Sequence, residues 1–173
     1  MSDAALHAAA AKSAIAELSA RYMRGLDRLD AELLASVFHA DATVNYGFFQ
    51  GTARDFVEFA MRALESHLAN HHMIGQALIE LEPGAAAALG EVYFQAFHRI
   101  LDGGAEKDLF IAGRYLDRYA LRDGAWKIAF RAEVNDWART EPAADGYFRA
   151  TPTSLRGARK PHDFVYERAK LER

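Results

Sequence analysis

The chain contains no cysteine and only four prolines in 173 residues. The first absence excludes disulfides, thiolate nucleophiles and cysteine-ligated metals. The second leaves long stretches free to form uninterrupted helix and strand. An excess of one charge is also missing. With 21 basic and 24 acidic residues the net charge is −3, which offers no general attraction to nucleic acid or an anionic membrane. No apolar run approaches the length needed to span a bilayer. The opening Ala4–Lys12 lacks the cationic start and apolar core of a signal peptide. There is no His-Glu-x-x-His helix, no glycine-rich dinucleotide turn and no phosphate loop. At 51% hydrophobic and 26% charged, the composition is that of one globular domain with a real core, for which a cytoplasmic location is the default expectation.

Helical composition comes first. Ser2 to about Asp27 is rich in alanine, leucine and glutamate, with Ile15, Leu18, Tyr22, Met23 and Leu26 forming an apolar stripe. Gly25 places the end of this helix near Leu26–Asp27. Asp30 reads as the cap of a short helix, Ala31 to Phe38, broken by His39-Ala40-Asp41. Ala42–Tyr46 reads as a strand and Gly47–Gly51 as a turn. Thr52 then caps a helix from Ala53 to about Leu68.

Four strands follow, Asn70–Leu81, Ala87–Leu101, Lys107–Leu121 and Ala125–Trp137. Their turns are Glu82-Pro83-Gly84, Asp102-Gly103-Gly104 and Arg122-Asp123-Gly124. Glycine-containing turns between long strands imply antiparallel hairpins, and helices before strands imply an α+β domain. The second of the four is apolar on both faces, with Tyr93 and Phe97 on one and Val92, Phe94 and Ala96 on the other. A second protomer covering the outer face, hence a homo-oligomer (dimer or trimer), is therefore expected. The domain spans residues 1–138. Residues 139–173 form a basic extension, with Asp163 capping a last short helix, Phe164–Leu171, and are expected to pack on the domain or a neighbouring protomer.

The candidate chemistry is acid–base. His71 and His72 start a strand and so diverge to opposite faces, which makes them a poor metal signal. No metal and no cofactor is expected. His72 shares its face with Ile74 and Leu78 and is a candidate general base or a buried structural histidine. Asp27 is a helix-end carboxylate, a capping residue or a partner. His98 is a second pocket candidate or a strand-end surface residue. Arg131 reaches either solvent or an internal carboxylate, and Asp136 has a structural role.

Three groups of residues carry a resemblance. They are Tyr22-x-x-x-x-Asp27, Phe38-His39-x-Asp41-Ala42, and Asn70-His71-His72-Met73-Ile74-Gly75. Gly113–Tyr119, Asp123-Gly124-x-Trp126-Lys127-Ile128 and Arg131-x-x-x-x-Asp136-Trp137 follow in the same order. Together, over residues 8–138, the chain resembles the SnoaL-like branch of the nuclear transport factor 2-like superfamily. That resemblance implies a cone-shaped half-barrel whose N-terminal helices pack on a curved, mainly antiparallel sheet around an apolar cavity. It is similar to the members that are scytalone dehydratase, bile-acid 7α-dehydratase and hexachlorocyclohexane dehydrochlorinase, which use a metal-free Asp–His pair in eliminations. By position that pair falls on Asp27 and His72. Tyr22 matches a substrate-facing tyrosine and Arg131 a pocket arginine, whereas His98 has no secure counterpart.

The function this implies is a dehydratase-type lyase acting on a small hydrophobic cyclic molecule, a steroid, terpenoid, polyketide or aromatic fragment. An isomerase or polyketide cyclase is the alternative on the same chemistry. A ligand-binding protein, or the small subunit of a ring-hydroxylating dioxygenase, is the alternative without it. Neither nucleic acid nor membrane is an expected partner.

Overall fold

A computed structural model describes every residue except Met1, Pro83, Ala85, Asp145 and Arg173, and the backbone alone of Glu172. In chain order the elements are α1 (Asp3–Arg28), α2 (Ala31–Ser36), β1 (Phe38–Asn45), β2 (Gln50–Thr52), α3 (Ala53–Glu65), β3 (Ala69–Leu81), β4 (Ala87–Asp102), β5 (Ala105–Arg122), β6 (Ala125–Pro142) and α4 (Tyr147–Ala150). Two 3₁₀ turns, Phe164–Tyr166 and Arg168–Glu172, end the chain. The sheet order is β2-β1-β6-β5-β4-β3. All neighbours are antiparallel except β1 and β6. The sheet curves without closing, and α1, α2 and α3 cover its concave face, making a cone-shaped α+β half-barrel.

Local chemistry accounts for the elements. Ser2, Asp30 and Thr52 each accept a hydrogen bond from a first-turn amide of the helix they begin. The inward stripe of α1 is Ile15, Leu18, Tyr22, Met23 and Leu26, and that of α3 is Phe56, Val57, Ala60 and Leu64. On β4 the even positions from Ala88 to His98 face the core, while Leu89, Tyr93 and Gln95 face out. The outer face leaves Met73, Leu89, Leu116 and Trp137 exposed.

Several boundaries differ from expectation for tertiary reasons. Helix α1 runs on to Arg28 through Gly25. A Cβ at Gly25 would lie 2.9 Å from Leu34 Cβ, so this glycine serves the close approach of α2 rather than the helix end. Helix α2 stops at Ser36, and Phe38–Asp41 belong to β1. Here Ile128 N–H donates to the Val37 carbonyl and Phe38 pairs with Ile128, so the ladder to β6 outweighs helix propensity. Helix α3 ends at Glu65, three residues early. The Arg159 guanidinium donates there to the carbonyls of Leu64 and Glu65 at 2.9 Å and also to that of His67, satisfying the orphan acceptors of a helix end. Asp163 caps a 3₁₀ turn instead of an α-helix. In the turn before β4, Pro83 lies outside the described residues, as does Arg173 in the extension.

The alternation along β3 slips at a bulge between Ile74 and Ala77. Leu78 is therefore turned outward and 59% exposed, while Ile79 faces the core. The expected face of His72 was right for Ile74 and wrong for Leu78. A second bulge sits between Ala112 and Gly113, where β6 carries one extra residue. A Cβ on Gly113 would fall 2.2 Å from the Val134 carbonyl oxygen, a backbone atom that cannot swing away. Gly113→Ala is therefore expected to destabilise the protein by about 3 kcal/mol, at the upper end of overpacking costs. A urea-unfolding midpoint within error of wild type would show that the bulge relaxes freely.

Strand β6 runs past Trp137 to Pro142 because residues 139–142 pair with β5, and the rest of the extension folds back over the helices. Arg28 donates to Asp163 at 2.7 Å, and Asp30 receives Lys160 and Tyr166, each at 2.9 Å. No described helix is long and apolar enough to cross a membrane.

Candidate functional site

Asp27 occupies the last turn of α1, one residue beyond the buried Leu26. Its carboxylate accepts three hydrogen bonds from His72. The backbone N–H lies 3.1 Å from both oxygens, and the ring Nδ1 is 2.7 Å from Oδ1. The same carboxylate thus fixes the register of β3 against α1 and the tautomer of the imidazole. An acceptor-only carboxylate requires Nδ1–H, which leaves Nε2 with its lone pair.

His72 lines a cavity of about 370 Å³ bounded by α1, α3 and the concave face. Its walls are largely apolar, with Tyr22, Leu26, Phe56, Phe94, Ile111 and Tyr115 prominent. Its polar lining includes His67, His72, His98, Glu133 and Asn135. Asp27 does not line it; with Arg24, Arg28 and another side of His72 it lines a surface cleft. His71 is on the other face and exposed.

His98 stands across the β3–β4 ladder, opposite Asn70. The Asn70 side-chain oxygen is 2.8 Å from Nδ1 of His98 and 2.8 Å from Nδ1 of His67. Both rings present an N–H to one acceptor, which is why their Nδ1 atoms come within 3.3 Å of each other. Asn70 is itself tethered to the Leu64 carbonyl at 3.3 Å. Burial, followed by the neighbouring His72 and His67, pushes His98 down to about 3, so it stays neutral. Its ring packs edge-on to that of His72 with centroids 5.0 Å apart, holding the base from the side.

Arg131 reaches an internal carboxylate, one of its two expected positions, and not the pocket that the resemblance implies. It is wholly buried, pairs with Asp117 through Nε at 2.8 Å and Nη2 at 2.7 Å, and is not among the cavity's lining residues. Its guanidinium lies 4.3 Å from the ring centroid of Tyr22 and 4.1 Å from that of Tyr115, so it backs the aromatic wall by cation–π contact. Asp117 also accepts from the Tyr119 hydroxyl at 2.5 Å. Asp136 pairs with Arg114 at 3.0 Å on the outer face.

Tyr22 does face the cavity, and its hydroxyl is 2.5 Å from that of Tyr46. Burial pushes Tyr22 up to about 12, against a partial lowering by Arg131.

Tyr46, His67, Asn70, Tyr115, Asp117, Glu133 and Asn135 also belong to the site or its supports, and none is among the candidate site residues of the sequence. Glu133 shares the inner face with Arg131 by simple alternation, and that signal was available. What the alternation does not reveal is that a carboxyl faces an apolar cavity. Burial pushes Glu133 up to about 7, with the hydrogen bond from Asn135 and the charge of Arg131 opposing the rise. A carboxyl raised on folding contributes stability that is complete below its ordinary value of 4.5 and is lost as pH rises through about 7. Glu133→Gln removes that loss. The variant should gain on wild type between pH 5 and pH 8 by up to about 3 kcal/mol in urea unfolding. Equal differences at the two pH values would place Glu133 in contact with water.

Among the described residues no group of three or more histidines, aspartates or glutamates is arranged to hold a metal ion.

A family model described as a SnoaL-like domain matches residues 7–132. No curated protein matches the sequence. Among solved structures, a hexachlorocyclohexane dehydrochlorinase (LinA) type 2 superposes with a TM-score of 0.73 at 20% identity, covering 82% of this chain and 98% of that one. A candidate scytalone dehydratase from Novosphingobium aromaticivorans DSM 12444 gives 0.64 at 22% identity over 87% and 93%. The Kfla4162 protein from Kribbella flavida gives 0.68 at 15% identity over 76% and 95%. At these identities the likeness is one of fold.

Proposed function

Because this chain belongs to the SnoaL-like domain family, we propose that it is a cofactor-independent lyase. Its substrate is a small hydrophobic cyclic molecule (a steroid, terpenoid, polyketide or aromatic fragment), its reaction an elimination of the dehydratase type. The observation that carries this reading is the 2.7 Å contact between His72 Nδ1 and Asp27, which commits one nitrogen of a ring that lines the cavity and leaves the other uncommitted.

In the proposed reaction, Nε2 of His72 removes a proton from a carbon next to an electron-withdrawing group. Asp27 stabilises the imidazolium that forms. A base positioned in this way is worth on the order of 10²–10⁴ in rate. Tyr22 and His98 shape the polar part of the cavity, and Arg131 supports Tyr22 from behind. Names of structural neighbours, a dehydrochlorinase and a candidate scytalone dehydratase, are those of elimination enzymes. An intact Asp27–His72 contact beside an apolar cavity favours catalysis over a purely structural subunit. We assign the exposed apolar outer face around Met73, Leu116 and Trp137 to self-association.

The test is turnover of a panel of hydroxylated cyclic ketones, followed by mass spectrometry for loss of water. His72→Ala should abolish turnover while circular dichroism remains that of wild type. Undiminished activity in that variant would sink the reading.

A further inference from the structure

We propose that Glu133 is the proton donor of the cavity, acting with the Tyr22–Tyr46 pair to bind and protonate an oxygen leaving group, so that the substrate class is a β-hydroxy carbonyl compound and not a halide. This rests on the lyase reading above and extends it to the half of the reaction that His72 does not perform.

An elimination that expels hydroxide needs an acid, and the candidates can be ranked. Tyr22 is held at about 12 and shares its hydroxyl with Tyr46. Burial lowers Arg131, but the charge and hydrogen bonds of Asp117 hold it well above its ordinary value, and it is not among the lining residues. His98 is held neutral at about 3, and the Nδ1 atoms of both His98 and His67 are already engaged by Asn70. Glu133 alone among them is an acid near neutrality, at about 7, and it lines the cavity. Matching a donor to the working pH maximises both its protonated fraction and its driving force.

The geometry places it apart from the base. Glu133 sits on β6 opposite Tyr115 of β5, while His72 sits on β3 opposite Ala96 of β4. The two side chains therefore line one cavity of about 370 Å³ from strands three places apart in the sheet. The groups that face Glu133 are Tyr22 from α1, Tyr46 after β1, Tyr115 from β5, and Arg131 and Asn135 from its own strand. His67, before β3, and His72 and His98, from β3 and β4, complete the polar lining.

The step balances. Nε2 of His72 takes the proton from carbon, and the C–H electron pair becomes the new C=C bond. The C–O bond breaks with its pair on oxygen, which takes the proton of Glu133 and leaves as water. The imidazolium and carboxylate then restore their starting forms by proton exchange with solvent. Chloride leaves as a stable anion and would draw nothing from Glu133.

The acceptor-only ketone 1-indanone reads the donor directly, without turnover. Wild type should bind it about tenfold more weakly at pH 8.5 than at pH 5.5, as the donor ionises. The red shift of the bound carbonyl stretch should fade over the same range. Glu133→Gln should bind it equally at both pH values, which also shows that the variant is folded, and His72→Ala should keep the wild-type step. No binding, no step in wild type, or a step that persists in Glu133→Gln overturns the proposal and leaves the Asp27–His72 reading standing. Turnover adds the class. With 3-hydroxy-1-indanone Glu133→Gln should lose 10²–10⁴-fold in kcat, and with 3-chloro-1-indanone less than tenfold. Equal losses overturn the assignment to hydroxyl substrates. A pH step without any turnover would instead count against the lyase reading alone.

Discussion

Asparagine in place of Asp117 is expected to destabilise the fold by about 3–5 kcal/mol, the cost of stranding one charge of a buried pair. Both side chains of the Arg131–Asp117 bridge have no solvent exposure. Arg131 already has one nitrogen, Nη1, without a hydrogen-bond partner, so it depends on Asp117 for both charge and hydrogen bonds. An amide can still accept from Nε but cannot neutralise the guanidinium. Since a domain of this size holds only about 5–15 kcal/mol of net stability, the variant should show a clearly lowered urea midpoint at pH 7. Asp117→Asn combined with Arg131→Met should recover much of the loss, because no unpaired charge is then buried. A double variant as unstable as the single one would mean that the cation between Tyr22 and Tyr115 matters more than its neutralisation. The consequence for the site is indirect, since those two rings form its wall.

Asp27→Asn should lower kcat by about 10²–10⁴ with little change in KM. The substitution is nearly isosteric, and its side-chain oxygen still accepts the His72 backbone N–H, so β3 keeps its place against α1. What disappears is the negative charge 2.7 Å from Nδ1. The amide neither stabilises an imidazolium nor selects the tautomer that leaves Nε2 unprotonated. The KM against kcat split separates this from a packing defect, which would weaken binding and stability together. Unchanged kcat on a substrate that needs His72 would show that the histidine works without an oriented tautomer.

The candidate site was partly legible because its ends are local. Tyr22 and Leu26 lie one helical turn apart on an apolar stripe, and Asp27 follows at the helix end. His72 alternates with Asn70 and Ile74 on one strand face. Arg131 was identified as a residue of consequence, yet its partner is Asp117 of the neighbouring strand, and a cross-strand ion pair leaves no trace in either strand's own pattern. Leu78 was misplaced because a bulge moves one residue out of the ladder and reverses every side chain after it.

By itself the sequence determined what depends on near neighbours. Absent cysteine and balanced charge set the class. Caps at Asp30 and Thr52, the periodic stripe of α1 and the glycine turns set the elements, and from them the α+β order. Only the tertiary structure decided that the pair implied by the resemblance, Asp27 and His72, closes to 2.7 Å across 45 residues of chain, that Arg131 is sealed behind Tyr22, and that Glu133 faces an apolar cavity. Those outcomes depend on register and burial, which are properties of packed pairs. Burial is also what changes the chemistry: the carboxyl of Glu133 is ordinary in the unfolded chain and an acid near neutrality only inside the cone.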